Sequence, residues 1–531
     1  MNELLSRKRM LVLGIESTAH TASVGLVEDG EIRGVKSDSY KPLTGGINPR
    51  DAAEHHRKVF PDLLLSMLNE EKVHISDLDK IAFSIGPGLG PSLKVGIELA
   101  KYLSIRYSKV LVPVNHGVGH LEIARKMSNF ENPLFLYVSG GNTQLVTIGE
   151  YRYSVLGETL DIGVGNFLDK IARDLEIPFP GAPVLEKLAK GGEKVLDCPY
   201  TVRGMDVSYS GLYTSLKRRI GKERREDIAF NAQEYAFTAL AEIVERGMAH
   251  FGLTEFSITG GVARNRRLRE LLSGMAKMRG YRFYFPDDTY LSDNGAMIAL
   301  AGYMSDLEAD ENIMLQQMDR VDSRESRWIG RRKLHPRAMV GGESVIERSS
   351  FEGIECVIKR RRGGEYRNPE INMKINNSRI KREIRLLHAI GSVSVGRPLV
   401  LYVDMLSSSI YLKMLPGRVM SQMISEPNID QVLRLVGEKV AQLHDRGISH
   451  GDLSLGNVMF DGSISFIDPS MGDQNAEIEQ LGVDIHLMKE SLSSLGKGNS
   501  FKYFLEGYSK CTRFDEVMQK VKEIEDRRRY T

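Results

Sequence analysis

His116 and His120 stand four residues apart in NHGVGHLEIARKM, whose helical period after Asn115 turns both imidazoles to one face, where they can meet a metal. A metalloprotease needs a glutamate beside the first histidine to activate water, and Gly117 stands there instead, so protease chemistry is demoted. Glycine pairs follow strand-like runs twice. Tyr137-Val138-Ser139-Gly140-Gly141 runs into amide and hydroxyl side chains, and Gly260-Gly261 leads through Arg264 and Asn265 into a helical pattern. Bare backbone amides in such turns can cradle phosphate. Each turn alone is a common connector, but together they outline a nucleotide cleft.

A second constellation lies far downstream. His450-Gly-Asp-Leu-Ser-Leu-Gly-Asn457, followed by Ile464-Ser-Phe-Ile-Asp468, has the spacing of a phosphotransferase loop, with Asp452 as base and Asn457 and Asp468 on magnesium. Upstream, Lys359 ends the apolar run Cys356-Val-Ile, and Glu383 sits in the helical run KREIRLLHAI; the two can form a phosphate-positioning ion pair. The glycine loop is incomplete, with only Gly341 and Gly342. Asp468-Pro-Ser replaces Asp-Phe-Gly, and no Ala-Pro-Glu segment follows. An ordinary peptide-docking kinase is thereby disfavoured against a small-molecule kinase or a minimal atypical one.

The elements that must carry these residues are legible in outline. Short β-branched runs at 10–15, 21–27, 81–85, 110–114, 134–138, 255–259 and 282–285 alternate with helix-length segments such as 92–107, which makes the first part α/β. The hairpins at 14–27 and 137–147 share a glycine-plus-hydroxyl character that suggests a duplicated half-domain. Between about 309 and 337 the apolar period fades into a charged stretch holding Trp328, so the expected boundaries are 1–325, a linker over 326–337, and a second domain over 338–531. With 531 residues and 41% hydrophobic composition the chain can bury more than one core. Its 72 Lys and Arg against 70 Asp and Glu leave a balance of +2, which decides nothing about partners. Cys198, Cys356 and Cys511 form no CxxC pair, the amino-terminal apolar run is too short for a signal peptide, and no window reaches the roughly 18 apolar residues of a membrane helix. A reduced, cytoplasmic setting without membrane contact is expected.

In order, GIESTAHTASVGL, IGPGLGPSLKVGI, PVNHGVGHLEIA, YVSGGNTQLV, DIGVGNFLDKIAR, PFPGAPVLEKLA, YSGLYTSLKRRI, GGVARNRRLRE and LSDNGAMIA resemble the universal tRNA adenosine threonylcarbamoyltransferase family, formerly labelled glycoproteases. That resemblance implies an actin, sugar-kinase and heat-shock type ATPase fold, with two ribonuclease-H-like halves around a cleft. It implies transfer of a threonylcarbamoyl group from threonylcarbamoyl-AMP to the amine of the adenosine beside the anticodon, in tRNAs reading codons that start with A. It implies a metal, iron ahead of zinc, on His116, His120, Tyr137 and Asp293. The adenylate surface would comprise Tyr137, Val138, Ser139, Gly140, Gly141, Asp169, Ala182, Glu186 and Asn265. Ala182 departs from the family pattern, which has a second glycine there. No protein nucleophile is required, since the attacking amine belongs to the substrate. Basic residues at 217–219, 222–225, 264, 266, 267 and 269 suit tRNA, although each cluster alone also reads as a solvated helix face.

Residues 338–531, including VIKRRRGGEYRNPEINMKINNSRIKREIRLL, HGDLSLGN, FIDPSMG and the basic tail at 527–530, resemble the small atypical serine/threonine kinase of the KEOPS complex, which in archaea is often fused to the transferase. This implies a protein-kinase-like α+β domain using ATP and Mg, with Gly341, Gly342 and Lys359 toward the nucleotide. It also implies small KEOPS subunits as partners and contact between the two domains. The competing reading is a heat-shock-like or sugar-kinase-like ATPase joined to a kinase or pseudokinase scaffold.

Overall fold

The run Leu11–Glu16 (β1) is buried at every position, as a strand covered on both faces must be, and it centres the first of two five-stranded sheets. With β2 (Thr21–Glu28) and β3 (Glu31–Ser39) it makes an antiparallel meander. Two further strands, β4 (Lys80–Gly86) and β5 (Val110–Asn115), extend its other edge in parallel. Parallel neighbours require crossovers, which α1 (Pro49–Glu71) and α2 (Gly90–Tyr107) supply before α3 (His116–Ser128). The computed structural model describes residues 9–42, 46–178, 180–330, 344–361, 364–393, 395–469 and 471–529.

The plan then repeats. A second meander of β6 (Leu134–Val138), β7 (Thr143–Ile148) and β8 (Tyr153–Glu158) is followed by a small ribbon of β9 (Val202–Arg203) and β10 (Asp206–Val207). Then β11 (Glu255–Thr259) joins β6 in parallel and β12 (Arg282–Tyr284) joins β11. The orders β3-β2-β1-β4-β5 and β8-β7-β6-β11-β12 agree strand for strand, which is the duplication the paired hairpins suggested. Helices α4 (Val164–Asp174), α5 (Ala182–Ala189), α6 (Ser210–Lys217), α7 (Arg225–Phe251) and α8 (Arg266–Arg279) belong to this half. A short α9 (Asp288–Leu291) then leads back to α10 (Gly295–Met304), which packs on the first sheet.

That return is made possible by glycine. A Cβ on Gly295 would stand 2.3 Å from the Gly25 nitrogen, and one on Gly14 would stand 2.2 Å from the Gly295 carbonyl oxygen, so helix and strands touch backbone to backbone. The contact fixes where the loop just before α10 can lie.

The second unit opens on an antiparallel sheet, in the order β13-β14-β16-β15, of β13 (Ser344–Phe351), β14 (Ile354–Arg361), β15 (Val400–Asp404) and β16 (Ser409–Lys413). In sequence, α11 (Pro369–Ser392) lies between β14 and β15. A small sheet of β17 (Arg418–Val419), β18 (Val458–Phe460) and β19 (Ile464–Phe466) accompanies α12 (Ile429–His444), α13 (Ile478–Ser494), α14 (Phe501–Tyr508) and α15 (Phe514–Arg529). Two departures from the expected boundaries matter. Trp328 donates to Glu122 Oε1 at 2.6 Å and the Gly330 carbonyl accepts from Tyr151, so the start of the presumed linker is fastened to the first unit. Ile371 and Ile375, at the start of α11, are buried in the same apolar cluster as α7. Gly341, Gly342, residues 331–337 and the side chains of 527–530 lie outside the described residues.

Gly295→Ala is expected to cost about 1 to 3 kcal/mol through overpacking against backbone that cannot retreat, read as a lower urea midpoint. A second expectation concerns acid. His56 in α1 is fully buried, and burial, then His55, push the ring down from 6.5 to about 4 against the opposing pull of Glu16. An unfolded ring gains its proton near 6.5 and the folded ring only near 4, so stability present above pH 6.5 is lost as the pH falls through that window, by up to about 3 kcal/mol. His56→Phe should shift the acid-unfolding midpoint to lower pH.

Candidate functional site

The helix that carries the histidine pair begins at the carboxyl end of β5, where Asn115 caps it by accepting from the Val118 N–H at 3.0 Å. The same side chain donates to the carbonyls of Asp319 and Arg320, tying the cap to the chain that closes the first unit. From there both imidazoles converge. His120 Nε2 lies 3.2 Å and His116 Nε2 3.6 Å from one oxygen of Asp293, the residue before the Asn294 cap of α10. The three donor atoms fall within 4.8 Å of one another, a set of nitrogen and oxygen ligands that suits a borderline divalent metal.

The far nitrogens are held as well. Glu16 Oε2, at the end of β1, is 2.9 Å from His116 Nδ1, with Thr18 Oγ1 at 3.1 Å, while Thr259 Oγ1, at the end of β11, is 3.3 Å from His120 Nδ1. Partners on Nδ1 fix ring orientation and leave Nε2 to ligate. Burial alone would push the His116 ring down, but the carboxylates of Glu16 and Asp293 outweigh it and lift the ring to about 9. A cation arriving between these atoms therefore competes with a proton. Burial would raise Asp293, and the two histidines instead hold it below the usual carboxylate range. Tyr137 is buried beside His120 with ring centroids 5.2 Å apart, and its hydroxyl accepts from Asn142 at 3.3 Å; burial pushes it above its ordinary range.

The adenylate candidates gather around the parallel pair β6 and β11, whose carboxyl ends are where open α/β sheets hold ligands. The turn at 139–141 rests on the start of α4: a Cβ on Gly163 or Gly165 would come within 2.5 and 2.7 Å of its backbone. A Cβ on Gly141 or Gly261 would instead meet nothing within 4 Å, so these two face open space and leave their amides approachable. Asp169 Oδ1 accepts from the backbone of Gly181 at 3.2 Å and of Ala182 at 3.1 Å. The Ala182 contact uses its N–H, which the methyl in place of glycine leaves intact. Asn265 caps α8 by accepting from Arg267 and Leu268 and donates to Gln233, and Glu186 accepts from the Arg266 N–H at 2.9 Å. A 3₁₀ turn over Gly261–Arg264 separates Gly260 from that helix, a step the sequence did not resolve.

In the second unit the expected charges meet. Lys359 Nζ lies 2.9 Å from Glu383 Oε1 and 2.5 Å from Asp468 Oδ1, and Asn457 donates to the Asp452 carbonyl at 2.8 Å and to its Oδ2 at 2.9 Å. Burial lifts Asp452 above the ordinary carboxylate range, with His450 opposing and Asp468 adding to the rise. Two residues escaped the sequence reading. Arg361 binds the second oxygen of Glu383 at 2.7 Å. Fully buried Asp484 accepts from the backbone N–H groups of His450 at 2.6 Å and Gly451 at 2.7 Å, which sets the shape of the loop before Asp452.

The basic clusters divide. Arg219 donates to Ser215 and the Asp197 carbonyl, Arg267 is paired with Glu234, and Arg269 with Asp288. Lys217, Arg218, Lys222, Arg224, Arg225, Arg264 and Arg266 stay exposed, Lys217 beside Asp174 at 3.4 Å, Arg224 beside Glu226 at 3.6 Å, Arg264 beside Asp288 at 3.8 Å and Arg266 beside Glu270 at 3.0 Å.

A family model described as "TsaD: tRNA N6-adenosine threonylcarbamoyltransferase" matches residues 32–300. The chain is 41% identical to a protein of Thermoplasma acidophilum and 39% identical to one of Methanocaldococcus jannaschii, with 98% of this chain and 100% of each relative covered. Both carry the description "Probable bifunctional tRNA threonylcarbamoyladenosine biosynthesis protein". Among solved structures, the crystal structure of T. kodakarensis HypF overlaps with a TM-score of 0.41 at 17% identity, covering 56% of this chain and 47% of that one.

The Glu16 contact yields a direct expectation. Glu16→Gln keeps the shape but removes the charge behind His116, and should weaken binding of a titrated divalent metal such as cobalt about 10- to 100-fold, read by the visible spectrum of the bound ion.

Proposed function

The chain belongs to the family of bifunctional tRNA threonylcarbamoyladenosine biosynthesis proteins, and on that premise we propose that its first unit transfers the threonylcarbamoyl group to tRNA at the cleft of His116, His120 and Asp293 while its second unit turns over ATP. The observation that carries this is the convergence of both Nε2 atoms on one Asp293 oxygen beside the open backbone of Gly141 and Gly261.

The donor is threonylcarbamoyl-AMP, whose adenylate lies along Tyr137, Val138, Ser139, Gly140 and Gly141, with Asp169, Ala182, Glu186 and Asn265 around it. The exocyclic amine of the adenosine beside the anticodon attacks the carbamoyl carbon, the bond from that carbon to the phosphate oxygen breaks, AMP departs and the amine gives up a proton. A bound divalent metal, iron ahead of zinc, on His116, His120, Asp293 and Tyr137 supplies Lewis acidity at the cleft. The protein's own residues act by positioning: Glu16 and Thr259 aim the imidazoles, and the open amides bind phosphate. The exposed basic residues from Lys217 to Arg225, with Arg264 and Arg266, supply counter-charge for the tRNA backbone.

The second unit acts as an atypical serine/threonine kinase or ATPase. Lys359, oriented by Glu383, takes the ATP phosphates, Asn457 and Asp468 take Mg, and Asp452 is the base. Gly341 and Gly342 belong to its nucleotide loop in this reading. The first unit runs to about residue 330 and the second occupies 338–531, the partners are tRNA and the small KEOPS subunits, and the setting is the cytoplasm.

The test is transfer of label from threonylcarbamoyl-AMP to unmodified tRNA by the full chain with the companion subunits added. His116→Ala and Asp293→Ala should each lower transfer at least about 100-fold, since a metal ligand counts for more than its outer-sphere partner. Asp452→Ala should abolish ATP turnover. Undiminished transfer by His116→Ala would remove the first unit's reaction from this cleft.

A further inference from the structure

One face of α7, in the first unit, carries Glu242, Glu245 and Arg246 into the second unit. The Glu242 side chain is 1% exposed and binds Arg379 of α11 and the Tyr200 hydroxyl, with Arg246 at 2.7 Å and Arg367 at 3.9 Å. Glu245 accepts from Tyr366 at 2.9 Å and pairs with Arg367 at 3.4 Å. Adhesion alone does not call for this, because Ile371 and Ile375 already bury apolar surface at the same junction. Desolvating several charges is costly and is repaid only where their geometry is kept.

From Glu242 two arms reach the nucleotide site. Arg379 lies one turn before Glu383 on the same face of α11, and Glu383 holds Lys359 and Arg361. Arg246 Nη2 lies 3.8 Å from the sulfur of Met471, three residues past Asp468. Met471 in turn backs Gly451, where a Cβ would stand 2.2 Å from the Met471 carbonyl carbon, and Gly451 precedes Asp452. The Arg246 charge also opposes the lift that burial gives Asp452.

We propose that Glu242 is a positioning residue for the nucleotide site of the second unit: by gathering Arg379 and Arg246 it sets α11 and the segment after Asp468 in the register that Lys359 and Asp452 need. The ATP-handling machinery is thus completed by a carboxylate from the transferase unit. The inference rests on the ATP-turnover reading of the second unit, and the test separates the two.

ATP turnover by the full chain is measured for Glu242→Gln, Glu383→Gln and the double variant, with Asp452→Ala as reference and thermal unfolding as a check on folding. Glu242→Gln should lower kcat/KM about 5- to 100-fold, the span of ordinary coupling between sites. The double variant should fall by less than the product of the two single effects, because the Arg379 arm of Glu242 acts through the same helix as Glu383. Effects that multiply, or a Glu242→Gln enzyme with unchanged kcat and KM, overturn the inference. Turnover that survives Asp452→Ala overturns instead the reading on which it rests. Should Glu242→Gln not fold, Tyr200→Phe, which removes one donor from the carboxylate and keeps the arginines, takes its place in the cycle with a smaller fall and the same non-additivity.

Discussion

Two imidazole nitrogens meeting one carboxylate oxygen inside the protein is an arrangement that nothing local can maintain. His120 and Asp293 are 173 residues apart in sequence, and burying such groups is costly unless every polar atom finds a partner. Much of the first unit answers that demand. The Asn115 cap fixes the start of α3, glycine contacts press α10 onto the first sheet and so set Asp293, and Glu16 and Thr259 come from the two halves to occupy the rear nitrogens. The duplicated sheet order gains a functional meaning here. It brings the ends of β1 and β11, equivalent to neither each other nor any single strand pair, against one helix.

The second unit solves a similar problem with different parts. Lys359 bridges Glu383 and Asp468, so one cation links helix, sheet and loop, while Asp484 holds the loop from behind through two backbone N–H groups. In both units the groups that face a ligand are few, and the residues behind them decide whether those few are aligned.

Legibility in the sequence follows from the range of each interaction. The histidine pair was visible because its spacing is the helix period, and the strands were visible because buried strands read as short apolar runs; Glu255–Thr259 emerges with the same bounds. Asp293 and Tyr137 carry no local signature and came only with the family resemblance. Glu16 ends a short apolar run, and a buried charge at a strand end is itself a signal that a partner must exist. Ala182 looked like a loss where glycine was expected, but the contact there runs through an N–H that every residue except proline owns. The boundary near residue 325 failed to register that a fading apolar period can still be stitched down by Trp328 and Gly330.

Charge is where sequence alone misleads most. Around the start of α8, Arg267 and Arg269 are half-buried on Glu234 and Asp288, while Arg264 and Arg266, paired at the surface with Asp288 at 3.8 Å and Glu270 at 3.0 Å, remain exposed. A counterion inside the protein cancels a charge that a polyanion would otherwise use, so the surface open to RNA is narrower than the count of arginines suggests. The same physics runs in reverse at the junction between units. There Arg367 and Arg379 are turned inward onto Glu242, and their charge is spent between two units of one chain instead of on a partner outside it.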